Sequence, residues 1–456
     1  MNSRQLEDEI FRSYYKSGNG LELLMINNLK NISDDKSRLL SNFFSLSFLR
    51  CANYLLPLIT LPYLVRVLGP QKFGLIAFAQ AIIQYFVIFT DYGFNLSATR
   101  EISIHRENKK KVSEIFCSVL LIKFALLVVS FIILSVFVFA FNKLRSDWGV
   151  YYLAFGMVIG QVMFPVWFFQ GMEKMKYIAA LNILAKLFFT VSIFVIIRQE
   201  ADYRYVPLLN SLGFIIAGFT GLWVVLRRFK IGLEVPAFAA IRREIENGWH
   251  VFISTLAISL YTTSNTVILG IFTNNTIVGY YAAGEKIIRA ITGMITPLSQ
   301  TIYPHICKVA SESKERALSF VRKMLMLIEV PLFLISIAVF LFAHHISNLV
   351  LGEHFQKSIP IIQILSFLPF IVAASIMLGS QVLLVFGIKR LFSMSIIFPA
   401  LIHVTLLLFV IPFWGATGVA IVCIFTELLV LFWRIIGIRM FHKELFTRIF
   451  CNETKN

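Results

Sequence analysis

The sequence predicts an all-α membrane protein that crosses the bilayer many times, and three observations carry this. Of the 456 residues, 58% are hydrophobic and only 15% charged, more apolar surface than a soluble chain of this size can bury. Uncharged stretches of roughly 20 residues recur along the chain, the length a helix needs to cross the hydrocarbon core. The roughly 10-residue alternating segments of a transmembrane barrel are absent.

Apolar runs and their breaks place twelve spans near 39–64, 73–98, 115–141, 150–172, 177–197, 205–226, 249–271, 277–303, 324–343, 358–386, 391–411 and 416–433. Pro57, Pro62, Pro165, Pro297, Pro331, Pro369 and Pro399 fall inside runs, where membrane helices accommodate them as kinks. Basic residues test the count. Of 42 Lys and Arg, 30 lie in the N-terminal tail, the segments after even-numbered spans and the C-terminal tail, 7 follow odd-numbered spans, and 5 lie within spans. Cytoplasmic loops concentrate Lys and Arg, so both termini are expected in the cytoplasm. A single miscounted helix would scramble the alternation. The same asymmetry accounts for the net charge of +17 without a nucleic-acid partner.

The first 38 residues are polar and of mixed charge, so no secretory signal is expected there. Cys51, Cys117, Cys307, Cys423 and Cys451 are scattered without a CxxC pair, and neither a metal nor a disulfide role is expected. The outward loops are short, the longest about 344–357, leaving no room for an extracytoplasmic catalytic domain. The chain therefore divides into a cytoplasmic polar segment 1–38, an N-terminal half 39–226 with spans 1 to 6, a cytoplasmic connector 227–248, a C-terminal half 249–433 with spans 7 to 12, and a cytoplasmic tail 434–456. The connector and the tail mix apolar with basic residues. Two readings stand equally for them: interfacial helices on anionic lipid, or solvated connectors.

An internal repeat relates the halves. "VLGPQKFGLIAFAQAIIQ" (67–84) and "IFTNNTIVGYYAAGEKIIR" (271–289) match Gly74, Ala77, Ile82 and Ile83 to Gly279, Ala282, Ile287 and Ile288 at an offset of 205. An offset of 206 aligns "LIK" (121–123) with "LIE" (327–329), placing span 3 on span 9. Odd spans fall on odd spans, so the repeats are parallel six-helix units, an arrangement in which a transporter's substrate site lies between halves.

Polar residues within spans follow the same symmetry. At 100° per residue, Gln80, Gln84, Asp91 and Asn95 fall at about 0°, 40°, 20° and 60° on the wheel of span 2. The offset of 205 carries them to Glu285, Arg289, Thr296 and Gln300 in span 8. Polar side chains facing lipid are costly, so each stripe should face protein or water. One reading is hydrogen-bonded glue between helices, with Glu285 and Arg289 neutralising each other. The reading favoured by their symmetric repetition is a cavity.

Other charges within spans extend the candidate set. Arg50 and Lys186 lie too deep to reach water easily and join the candidate cavity lining. Lys123 is nearer the cytoplasmic end, where snorkelling and a cavity role are equally open. Lys286 stands about 100° from its stripe. Asp91, Glu285 and Glu329 are candidate ion-coupling groups for H+ or Na+. His403 is expected to be a hydrogen-bonded core residue. A lining with more cations than acids suits an anionic head group such as a phosphate or pyrophosphate.

"NYLLPLITLPYLVRVLGPQKFGLIAFAQA" (53–81), "DYGFNLSATREIS" (91–103), "WFFQGMEKMKYIA" (167–179) and "TVILGIFTNNTIVGYYAAGEKI" (266–287) resemble the polysaccharide flippases of the Wzx type, in the multidrug/oligosaccharidyl-lipid/polysaccharide exporter superfamily. The resemblance runs from about residue 40 to 440. It implies two six-helix lobes around a central V-shaped cavity, alternating access, and no catalytic residues or cofactor. The implied substrate is an undecaprenyl-pyrophosphate-linked oligosaccharide repeat unit, moved to the outer leaflet of the bacterial inner membrane for O-antigen or capsule assembly. Membrane lipids, a polysaccharide polymerase and chain-length machinery are the implied partners. The N-terminal stretch is longer than usual in such proteins, and Arg50 is not a hallmark of the family. A drug or organic-cation antiporter of the same superfamily is the alternative; it would want an acid-dominated cavity. A membrane glycosyltransferase or polymerase would want a large catalytic loop or a metal-binding acidic motif, and the sequence carries neither.

Overall fold

The structure, a computed structural model, describes residues 56–450. Arg50 and the segment 1–38 lie outside the described residues. Every regular element among the described residues is helical, and eight helical stretches are long and apolar enough to cross a membrane. The protein is a multi-pass membrane protein.

The helical run 56–91 changes direction at Gly69, whose φ is 66. Glycine adopts this left-handed conformation without a Cβ penalty, and Pro70 removes a helix hydrogen bond at the same place. The run is therefore two helices, α1 (56–68) and α2 (70–91). Tyr92 (φ 49) and Gly93 (φ 78) end α2, and α3 (Phe94–Ile104) continues the span. The N-terminal half is completed by α4 (Lys109–Ala140), α5 (Asn142–Arg145), α6 (Trp148–Met163), α7 (Val166–Gly171), α8 (Met175–Ile196) and α9 (Tyr205–Arg228). Asn108 caps α4 by accepting from the Lys111 amide at 3.1 Å, satisfying an otherwise orphaned donor. α6 and α9 approach closely because Gly156 packs on Ser211, and Gly160 on Phe214 and Gly218, the small-residue contact typical of membrane helices.

The C-terminal half begins with α10 (Phe238–Thr262), α11 (Ser264–Phe272), α12 (Asn275–Gly293) and α13 (Ile295–Glu312). It continues through α14 (Lys314–Leu341), α15 (Ala343–Ile346), a π-helical turn Ser347–Leu351, α16 (Ile359–Leu365), α17 (Leu368–Ile376) and a second π-helical stretch Met377–Leu384. α18 (Lys389–Phe441) is broken at Gly415 (φ 51), and α19 (Lys443–Phe450) ends the described chain. Asn274 and Ser313 cap α12 and α14 by accepting from the amides of Ile277 and Arg316.

The apolar core has three parts. One contains Leu61, Phe78, Tyr151, Tyr281 and Leu407 and joins both halves at the end that the charge asymmetry assigns outside. The other two are separate. One is built on Phe94, Phe116 and Trp167 in the N-terminal half, and one on Ile306, Val321 and Val382 in the C-terminal half. The halves thus share a core at one end and have their own at the other.

Part of the connector packs against the N-terminal half, while Leu233, Val235 and Phe238 stay exposed. Residues 238–248 are the first turns of α10, with Ala240 and Glu244 buried. Tyr92 stacks on Phe252 of α10 at 5.0 Å, and Arg243 pairs with Glu114 of α4 at 3.2 Å. Much of the expected tail is likewise packed: Leu445 and Ile449 of α19 are buried in the C-terminal core.

Candidate functional site

The first polar stripe divides between two cavities. Gln80 of α2 lines a cavity of about 300 Å³ together with Lys186 of α8, Asn210 of α9 and Lys286 of α12. The rest of its wall is mostly apolar, including Leu64, Phe73 and Phe189. The Lys286 ammonium lies 4.8 Å from the Phe73 ring centroid, a cation–π distance. Lys186 was accessible to sequence reasoning through its depth. Lys286 was not, because its place off the stripe concealed that α12 turns it towards the N-terminal half.

Gln84, Asp91 and Asn95 line a second cavity of about 210 Å³ with Lys123, Gln161 and Thr255. Asp91 Oδ1 lies 3.5 Å from Lys123 Nζ, and the Lys123 side chain is 4% exposed. Lys123 therefore does not snorkel; it lines this cavity and answers Asp91. The turn at Tyr92–Gly93 interrupts the helical wheel, so Asn95 reaches this pocket from α3 and not along a continuous α2. Its Oδ1 is buried without a hydrogen-bond partner among the described residues.

The second stripe is arranged differently. Arg289 Nη2 donates to Glu285 Oε1 at 2.8 Å and to the Thr262 carbonyl at 3.0 Å. The Tyr281 hydroxyl also donates to Glu285 Oε1, at 3.2 Å. Thr296 and Gln300 follow a turn at Met294 and are exposed on α13. None of these four lines either cavity described above. Glu329 of α14 is 7% exposed, and both carboxylate oxygens lack a hydrogen-bond partner among the described residues. His403 is buried as a core residue, its Nδ1 2.8 Å from Thr426 Oγ1 and its Nε2 2.8 Å from Asn265 Oδ1.

The repeat has a direct structural expression. α2 and α12 cross at Gly74 and Gly279, the pair related by the offset of 205. A Cβ on Gly74 would overlap the backbone of Asn275, and one on Gly279 would overlap the carbonyl of Pro70. Glycine at both places lets the two backbones touch.

Comparison with known proteins places this architecture. Residues 39–310 match the family described as polysaccharide biosynthesis protein. A protein of Escherichia coli (strain K12) named "Putative O-antigen transporter" is 32% identical over 399 residues, covering 88% of this chain and 96% of that protein. Among solved structures, the lipid II flippase MurJ in an inward closed conformation is similar in fold, with a TM-score of 0.67 at 10% identity over 91% of this chain and 94% of that one. An inward-facing multidrug resistance MATE family transporter of the MOP superfamily has a TM-score of 0.66 at 15% identity, over 86% of this chain and 95% of that one. With residues 39–310 matching its model and a relative 32% identical along nearly its whole length, the chain belongs to the polysaccharide biosynthesis protein family.

Proposed function

We propose that this protein is a flippase that carries undecaprenyl-pyrophosphate-linked oligosaccharide repeat units across the bacterial inner membrane, for O-antigen or capsular polysaccharide synthesis. It crosses the membrane twelve times in this reading. The breaks at Gly69 and Gly415 each divide one long run into two spans, and the pairs α10–α11 and α12–α13 supply spans 7 and 8. An even count keeps both termini cytoplasmic, as the distribution of basic residues requires.

The observation that carries the reading is the cavity holding Lys186 and Lys286. Two ammonium groups from opposite halves, with Gln80 and Asn210 beside them, suit the pyrophosphate of a lipid carrier. The described lining residues include no carboxylate, which speaks against the organic-cation antiporter. At about 300 Å³ the cavity accommodates a head group and not a whole oligosaccharide. The glycan would occupy space gained as the halves part, and the polyprenyl tail would stay in lipid. Rocking of the halves about their shared core would then expose the site to each side in turn. Of the three candidate coupling carboxylates, Asp91 and Glu285 already hold cations. We therefore place H+ or Na+ coupling at Glu329. A polysaccharide polymerase and its chain-length machinery would receive the product at the outer leaflet.

Disruption of the protein is expected to leave the lipid-linked repeat unit on the cytoplasmic leaflet, where mass analysis of the accumulated lipid would identify its sugars. Normal surface glycan without a trapped intermediate, in cells with no second flippase, would overturn the reading. Lys186→Ala with Lys286→Ala should lower transport by tenfold or more, since charge-assisted hydrogen bonds contribute about 1.5–3 kcal/mol each. Membrane insertion should be unchanged. Full transport by the double variant would move the anion site elsewhere.

A further inference from the structure

Apart from the glycine crossing and the Lys286–Phe73 contact, two side-chain cations join the halves at the end assigned outside by donating to backbone carbonyls. Lys143, in α5, donates to the backbone carbonyls of Gly270 and Thr273 at the C-terminal end of α11. Arg66, near the end of α1, donates to the carbonyl of Leu349 in the π-helical turn beyond α14. The last carbonyls of a helix have no intrahelical donor and carry the negative end of its dipole. A cation supplied by the opposite half completes them. Lys143 also lies 5.6 Å from the Phe78 ring centroid, and that ring packs directly on Gly270.

The two contacts are related by the internal repeat. The offset near 205 carries span 1 onto span 7 and span 3 onto span 9. A contact from the end of span 1 to the end of span 9 therefore maps onto one between the ends of spans 7 and 3. The geometry is symmetric, but the chemistry is not. Both cations belong to the N-terminal half, and all three acceptors belong to the C-terminal half. Arg66 and Lys143 are two of the seven basic residues that the sequence leaves on the outer side, where a cation has no part in orienting the chain.

We propose that Arg66 and Lys143 form a two-point latch that holds the outer ends of the halves together, and that both must let go before that end opens. The latch is polar, so water entering between the halves can replace it. The glycine crossing beside it has no such substitute and sets how closely the halves approach when latched.

The test needs no substrate and so stands apart from the identity of the transported molecule. In a background with the native cysteines replaced, spin labels at Arg198→Cys and Glu353→Cys, both exposed on outer loops of opposite halves, report the separation by pulsed electron paramagnetic resonance. The protein is held in lipid nanodiscs. Arg66→Ala with Lys143→Ala should raise the population with widely separated labels by at least about tenfold, as the loss of charge-assisted hydrogen bonds implies. Arg66→Lys with Lys143→Arg should retain the short separation. If the double alanine variant does not fold, Lys143→Gln and Arg66→Gln, which keep a neutral donor, should each widen the distribution partially. An unchanged distribution in the alanine or glutamine variants would overturn the proposal, as would equal widening in the conservative pair.

Discussion

Lys123→Ala is expected to destabilise the protein by about 3 kcal/mol, the low end of the cost of breaking a buried ion pair from one side, because the Asp91 side chain keeps 23% exposure. The Lys123 side chain is 4% exposed and its ammonium lies 3.5 Å from Asp91. With the ammonium removed, the carboxylate would be left in a small pocket whose other described polar lining residues, Gln84, Thr90, Asn95, Gln161 and Thr255, are all uncharged. Replacing both charges, as in Asp91→Asn with Lys123→Met, should recover most of the loss, because an ion pair taken out of water contributes little beyond its own desolvation. Thermal unfolding of the purified variants in one detergent measures both effects. Transport separates bracing from substrate contact. If the pair only braces α2 against α4, the exchange Asp91→Lys with Lys123→Asp should work nearly as well as the wild type. If Asp91 touches the cargo or a coupling ion, the exchanged protein should fold and fail to transport. A Lys123→Ala protein as stable as the wild type would show that the pair is open to water.

The second large effect is expected at the glycine crossing. Gly279→Val should abolish transport and separate the outer ends of the halves, and Gly74→Val should do the same. A side chain at either position would occupy the space of a backbone atom on the facing helix, and backbone cannot step aside as a flexible side chain can. Overpacking typically costs about 1–3 kcal/mol where neighbours can shift, and here the shift required is that of a whole helix. Gly149→Ala is the matched control: nothing lies within 4 Å of the added carbon, and transport should be unchanged. Wild-type transport by Gly279→Val would mean that α2 and α12 do not touch in the working cycle.

The two sites differ in how far the sequence revealed them. The sequence marked Gly74 and Gly279 as equivalent places in both halves but not that they meet; the backbone contact, which admits only the smallest residue, is visible only in the fold. Asp91 was visible as an anomaly, but its partner was not, because a helical wheel shows the face a residue occupies and not the helix opposite. Lys123 on α4 is remote in sequence from α2 and carries no mark of its own beyond charge. Asn95 shows a different limit: the wheel assumes an unbroken helix, and the positive φ angles at Tyr92 and Gly93 violate that assumption. Lys286 was set aside for lying off its stripe, yet α12 runs along the seam between the halves. Residues on more than one of its faces therefore meet protein.

α10 has a mechanical consequence. It is unbroken from Phe238 to Thr262, and though it opens the C-terminal half it packs on α3 and α4 of the N-terminal half as well as on α18 of its own. A 25-residue rod of this kind, about 37 Å long at 1.5 Å per residue, behaves as a handle and not as a tether. The slack in the connection lies in the non-helical residues before Phe238, while the far end is held to α12 by Arg289, which donates to the Thr262 carbonyl. A swing of the halves would have to shift this rod against one of them, against α3 and α4 on one side or α18 on the other.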